Sequence, residues 1–235
     1  FTPLWHKLAA GRKVLTFGGE AADVRSTKAQ WADSAWQVQV QTPQGSFDCA
    51  LHIAGRHNVR NALAATACAL AAGVPLAAIA RGLSAFSPVK GRSRSTSVVC
   101  AGRRIDVVDD TYNANPDSVQ AAIAVLAELP APHLLVLGDM GEVGGQGPAF
   151  HAEVGASAQQ AGIETFMALG PQMQHAIAAF GQGATHFEDM AALIAAVQAH
   201  MGQTGSVLVK GSRSMKMEQV VQALERACGE GAACC

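Results

Sequence analysis

Nowhere in these 235 residues does a glycine precede a lysine. A phosphate-cradling loop of the G-x-x-x-x-G-K-[ST] kind is therefore excluded from the chain. G-x-S-x-G and H-E-x-x-H are missing too, which removes a nucleophile elbow and a helix-borne zinc pair. The six cysteines never stand at C-x-x-C spacing, so neither a zinc ribbon nor a dithiol redox site has a signal. Cys49 and Cys68 fall in apolar segments and are expected to be small core residues, and Cys234-Cys235 a frayed tail. No apolar run approaches the ~20 residues that cross a bilayer. The opening Phe-Thr-Pro-Leu-Trp lacks the charged and apolar regions of a secretory signal. A cytoplasmic, reduced protein without membrane insertion is expected, and the missing initiator Met suggests part of a longer chain. Charged residues make up only 15% with a net charge of −1, and no basic stripe for nucleic acid is present.

What is present reads as a well-packed α/β protein. Hydrophobic residues reach 49%, too many for a disordered chain. Charge is unevenly placed. Residues 1–91 hold nine Lys/Arg against four Asp/Glu, and residues 92–235 hold eight against fourteen. The basic first part suits an anionic ligand such as a nucleotide phosphate. Lys13–Gly18 reads as a strand, and the alternating runs Trp36–Thr42 and Phe47–Ile53 read as a hairpin around Pro43-Gln44-Gly45. A helix over 62–72 stops at Gly73, and a second starts at Pro75. Ser87–Ser95, rich in cations and broken by Pro and Gly, is expected to link two domains, 1–91 and 92–235. Beyond it a hairpin (98–100 with 105–108) is followed by strands at 133–137, 165–169, 185–187 and 206–209. These alternate with helices at 116–129, 148–161, 171–180, 188–201 and 214–227. That alternation predicts a mostly parallel sheet with helices on both faces. Right-handed crossovers then put Asp110, Gly138-Asp139, Gly170 and Lys210–Arg213 on one edge of it.

Open α/β sheets hold ligands at the carboxyl ends of their strands. The richest such end is Val108-Asp-Asp-Thr-Tyr-Asn-Ala-Asn-Pro-Asp-Ser118. Pro116 opens a helix, Asn115 stands at its N-cap, and Asp117 complements the helix dipole. Capping explains Asn115 and Asp117 but leaves Asp109, Asp110, Tyr112 and Asn113 over, so a functional loop is expected. In Arg56-His-Asn-Val-Arg-Asn61, residues His57, Asn58 and Asn61 share one face of a helix start. Carboxamides there match the donor–acceptor edge of adenine, although Asn58 could instead be a cap. Gly138–Gly147 is a glycine-rich strand-to-helix loop that lacks G-x-G-x-x-G, which disfavours a nicotinamide site. His151, one turn into the next helix, is expected at the surface. Val209–Ser214 joins two cations and two hydroxyls at a strand end, suited to a carboxylate or phosphate, or to a plain capped turn.

Together G-R-H-N-V-R-N-A, V-K-G-R, D-D-T-Y-N-A-N-P-D-S, L-G-D-M-G-E-V-G and V-K-G-S-R-S-M resemble the Mur ligases of peptidoglycan synthesis, in the family's order. D-D-T-Y-N-A-N-P and L-G-D-M-G-E are similar to the members that join D-Ala-D-Ala to UDP-N-acetylmuramoyl-tripeptide. The resemblance implies the end of a central P-loop ATPase domain over 1–91 and a Rossmann-like ligase domain over 92–235. The P-loop, the carboxylated lysine and most Mg²⁺ ligands would lie upstream, so the chain alone is expected to be inactive. It further implies ATP as cosubstrate, an acyl phosphate intermediate, and a monomer. His57, Asn58 and Asn61 would serve the adenine, Arg92 the ribose or phosphates, and Asp110 the ribose or that arginine. Asn113, Asn115, Asp139, Glu142, Lys210, Ser212 and Arg213 would line the acceptor side. Two alternatives stay open: a non-catalytic α/β module binding a nucleotide or small acid, and another ligase of the superfamily, diaminoacid-adding or folylpolyglutamate-type. Tyr112–Pro116 in place of a histidine-bearing D-Y-A-H argues against the diaminoacid-adding relative.

Overall fold

The structure is a computed structural model and describes residues 2–100 and 102–228; the Cys234-Cys235 tail lies outside them. The chain forms two compact units, Phe1–Leu51 with Arg56–Phe86, and His52–Gly55 with Ser87–Cys235.

In the first unit, which also holds the helix α1 (Thr2–Leu8), β1 (Arg25–Ala32), β2 (Ala35–Thr42) and β3 (Gly45–Leu51) form an antiparallel sheet in that order, with α2 (Arg56–Ala71) against β1 and β2 and α3 (Leu76–Ser84) against β3. Strand β2 alternates as expected, burying Trp36, Val38 and Val40. Val14 and Phe17, ahead of this sheet, are exposed. Asp33 and Ser34, at φ 54° and 56°, make the two-residue turn from β1 to β2 that matches strand twist. The strand expected at 13–18 does not form; only Phe17 makes an isolated bridge, to Val24. The reason is local. Asp23 Oδ2 accepts from both the backbone and the hydroxyl of Thr16, each at 2.8 Å, and closes a loop where a ladder would need a partner strand. Cys49 is buried, and burial first, then the Asp48 charge, pushes its thiol up to about 11. Cys68, expected in the core, is exposed, because the stripe Val59, Ala62, Leu63, Thr66, Ala67, Leu70 is the buried face of α2.

In the second unit, β4 (Arg94–Cys100), β5 (Arg103–Asp110), β6 (His133–Gly138), β7 (Thr165–Leu169), β8 (Ala184–Phe187) and β9 (Ser206–Lys210) pair in the order β4-β5-β9-β6-β7-β8. Only the β4–β5 pair is antiparallel; the other four pairs are parallel, as expected. Strand β6 is buried at every residue, which is why its sequence is a continuous apolar run. On one side Leu134, Val136, Val207 and Val209 pack with α7 (Met190–His200) and α8 (Glu218–Cys228). The alternate residues Leu135, Leu137 and Leu208 are as deeply buried, and α4 (Pro116–Ala127), α5 (Gly147–Gln160) and α6 (Met173–Phe180) complete the unit. Cys100 and Cys228, 128 residues apart, are bonded to each other, fastening α8 to the edge strand β4. This departs from the all-thiol expectation, since no short spacing announces a pair brought together by tertiary packing.

At the amino end of β6, His133 Nδ1 lies 2.8 Å from Glu164 Oε2 and Nε2 lies 3.0 Å from the Leu129 carbonyl. Both neighbours accept, so the imidazolium form alone satisfies both ring nitrogens. Burial acts to raise the Glu164 carboxyl, but hydrogen bonds and charge from His133 outweigh it and hold the group below its ordinary 4.5. A depressed carboxylate stabilises the fold above its unfolded value and loses that contribution as pH falls through the folded one. Glu164 is 46% exposed, so screening keeps the effect small. We expect Glu164→Gln to cost up to about 1 kcal/mol at pH 7 and nothing once pH is well below 4.5, read from urea midpoints at the two pH values.

Candidate functional site

The carboxyl edge of the parallel sheet gathers three turns. Strand β5 runs out at Asp109-Asp110, its neighbour β9 at Lys210, and the next strand, β6, at Gly138-Asp139. Their adjacency follows from the strand order, and hydrogen bonds join them directly. Lys210 Nζ donates to Asp110 Oδ2 and to the Asn113 carbonyl, each at 2.7 Å. Gly141 N donates to the Ala114 carbonyl at 3.0 Å, and Ser212 N to the Asp139 carbonyl at 2.9 Å. The lysine is 3% exposed, so this ion pair works in a medium far less polar than water. Gly211 fits the junction because an added Cβ would overlap Met217 and crowd the Gly138 backbone.

Each carboxylate on this edge has distinct partners. Asp109, 2% exposed, accepts from Gly91 N at 3.1 Å through Oδ2 and from the Thr111 hydroxyl at 2.6 Å through Oδ1. Asp110 gives Oδ2 to Lys210 and Oδ1 to Ser93 N, at 2.9 Å. Tyr112 N donates to the Gly91 carbonyl at 3.0 Å, and the Arg92 guanidinium sits 4.3 Å from the centroid of the Tyr112 ring. The segment Gly91–Ser93 is thereby clasped by the acidic turn. Its glycine is required there: at φ +80° an added Cβ would stand 3.0 Å from Tyr112 N.

Other expected site residues turn out to have structural partners. Asn115 caps α4, its Oδ1 accepting from Ser118 N at 2.9 Å, with Pro116 at the helix start. The Asn113 side chain accepts from Ala114 N at 2.9 Å. Asp139 directs its carboxylate to Met173 N at 3.0 Å and Gln172 N at 3.3 Å, the start of α6. Gly170 makes room for it, since a Cβ there would overlap the Asp139 carboxylate. Arg213 donates to Glu218 Oε1 at 3.1 Å, and Ser212 Oγ lies 3.2 Å from Ser214 Oγ. Glu142 is exposed and holds a left-handed φ of 59°, as do Ser93 (49°) and Lys216 (50°). Among the described residues, three of the five non-glycine residues with such backbones thus border this edge, and strain of that kind concentrates at functional turns.

In the first unit the start of α2 carries His57 and Asn61 exposed, with Asn61 Nδ2 donating to Asn58 Oδ1 at 3.0 Å. The helix opens at Arg56, packed 5.8 Å from the Trp36 ring centroid, so Asn58 lies inside the first turn and is not the cap. His151 is another correction. Expected at the surface, it is fully buried, with Nδ1 at 2.7 Å from the Gly147 carbonyl and Nε2 accepting from Met140 N at 3.1 Å. That pattern fixes a neutral ring protonated on Nδ1, pinning both ends of the glycine-rich loop. Its place in the stripe 147, 151, 154, 155, 158 was the signal available in the sequence. Asp109, Gly91 and Ser93 were missed as partners because their bonds span 17 or 18 residues. Among the described residues no group of three or more His, Cys, Asp or Glu could hold a metal. Nor is any described helix long and apolar enough to cross a membrane.

Comparison with known proteins agrees with this arrangement. The family described as Mur ligase, glutamate ligase domain, matches residues 93–213, and the Mur ligase middle domain matches residues 3–69. The UDP-N-acetylmuramoyl-tripeptide–D-alanyl-D-alanine ligase of Escherichia coli K12 is 40% identical over 225 residues, covering 94% of this chain and 49% of that protein. The crystal structure of MurF from Acinetobacter baumannii superposes with a TM-score of 0.77 at 33% identity, covering 96% of this chain and 50% of that one. MurF from Thermotoga maritima, solved in complex with ADP, shares the fold at a TM-score of 0.72 and 21% identity, covering 96% of this chain and 51% of that one. The chain spans about half the length of the curated relatives it matches. With both domain families matched in order, and the acidic, Gly-Asp and lysine turns joined on one sheet edge, the chain belongs to the Mur ligase family.

Proposed function

We propose that this chain is the carboxyl-terminal part of an ATP-dependent amide ligase that adds D-Ala-D-Ala to UDP-N-acetylmuramoyl-tripeptide. In the complete enzyme the peptide carboxylate would attack the γ-phosphorus of ATP and ADP would leave. The dipeptide amine would then attack the acyl carbon and expel phosphate. Activation turns a poor leaving oxygen into a good one, and cations stabilise the charge on the transferring phosphoryl group. The units correspond in this reading to the end of the central ATP-binding domain and to the Rossmann-like ligase domain. The enzyme is a cytoplasmic monomer, and its Mg²⁺ is held mainly by residues upstream of this sequence.

The observation that carries the reading is the hydrogen-bonded convergence of the turns after β5, β9 and β6, which leaves Arg92 presented beside them. His57, Asn58 and Asn61 would take the adenine and Arg92 the phosphates or ribose, with Asp110 setting the segment that bears Arg92. Glu142, Ser212, Arg213 and Asn113 would face the incoming dipeptide. Lys210, Asp139 and Asn115 would hold the turns that carry them, through their bonds to Asp110 and the Asn113 carbonyl, to the start of α6 and to Ser118 N. Asn61→Ala in the complete ligase should weaken ATP binding by ~1–3 kcal/mol, the cost of leaving a buried polar partner unmatched. Titration calorimetry that returns an unchanged affinity removes the adenine assignment.

A further inference from the structure

Arg92 stands beside two consecutive carboxylates, yet no ion pair to it forms among the described residues. The cause is that Asp109 and Asp110 are already committed. Asp109 is taken by Gly91 and Thr111, and Asp110 by Ser93 and Lys210. These bonds immobilise the residues on either side of Arg92, while its guanidinium lies 4.3 Å from the Tyr112 ring centroid. Tyr112 is itself held by its backbone bond to the Gly91 carbonyl, although 48% of it remains exposed. The chain thus spends its nearby acids on the backbone of the segment and leaves the cation to an aromatic face. A ring fixes the plane and position of a guanidinium without neutralising it, and the cation keeps its full attraction for an anion.

We propose that Tyr112 is a positioning residue for Arg92, presenting the guanidinium to a nucleotide phosphate. Asp109 and Asp110 fix the backbone on which both side chains stand. The inference rests on the assignment of Arg92 to the nucleotide. It adds that the phenyl face of Tyr112, and not its hydroxyl, does the work. Phe at this position should therefore function and Leu should not.

The test has two arms. In the 235-residue chain, the Arg92 side-chain protons should be shifted upfield by the ring current in the wild type and in Tyr112→Phe, and return to ordinary values in Tyr112→Leu. In the complete ligase, Tyr112→Leu should raise KM for ATP about two- to fivefold, the fold-change of one exposed cation–π contact, with little change in kcat. Tyr112→Phe should restore it, and Tyr112→Leu should add nothing on an Arg92→Ala background. No ring-current shift in the wild type overturns the inference. So does an Arg92→Ala enzyme with raised KM alongside an unaffected Tyr112→Leu enzyme, which spares the nucleotide assignment. If Arg92→Ala itself leaves KM for ATP unchanged, the nucleotide assignment falls, and the phosphate end of this inference with it.

Discussion

Lys210→Ala is expected to destabilise the second unit by about 3–5 kcal/mol, the usual consequence of stripping one partner from a buried ion pair. The lysine is 3% exposed, and its ammonium serves both Asp110 Oδ2 and the Asn113 carbonyl at 2.7 Å. Its removal strands a carboxylate and a carbonyl at once. The net worth of the pair is smaller than that figure, because desolvating both charges already offsets much of their attraction. Lys210→Met combined with Asp110→Leu should therefore recover most of the loss while still breaking the link to Ser93. Urea unfolding of the single and double variants separates the two quantities. A single-variant loss below about 1 kcal/mol would show that the pair is solvated in solution.

Gly155→Ala should also destabilise, for reasons of volume. Gly155 faces α6 at the closest approach of α5, and an added methyl would overlap the carbonyl, carbonyl carbon and Cα of Ala176. Backbone cannot step aside as a side chain end can, so the two helices must part. Overpacking of that kind costs about 1–3 kcal/mol or more, against the ~1 kcal/mol that alanine returns in helix propensity. Gly82, in α3, has nothing within 4 Å of its would-be Cβ and makes the control. There the same substitution should stabilise by ~0.5–1 kcal/mol. Thermal melts of both variants should move in opposite directions; a rise for Gly155→Ala would mean that α5 and α6 sit further apart than described.

The parallel sheet and the edge that gathers the three turns were legible because β5, β6, β7 and β9 carry short apolar runs that give way to glycine or charge. Register then follows from burial, and adjacency from right-handed crossovers. Strand β1 escaped notice because it is an edge strand without a buried face, its residues Arg25–Ala32 being intermediate or exposed throughout. The apolar run at 13–18 misled for the converse reason, since hydrophobicity alone supplies no pairing partner. His151 was misjudged by residue type although its helical spacing was correct. The Cys100–Cys228 bond and the clasp on Gly91 and Ser93 join residues that meet only after the strands have paired. Pairwise bonds of that kind leave no periodic trace in a sequence.

Asp110 divides its two oxygens between Ser93 and the buried end of β9. The stretch from Gly91 to Ser93 is thus mechanically an outgrowth of the sheet, despite a composition that suggests a loose tether. Arg92 is therefore placed by its own sheet, and replacing Asp110 should loosen the stretch that carries it.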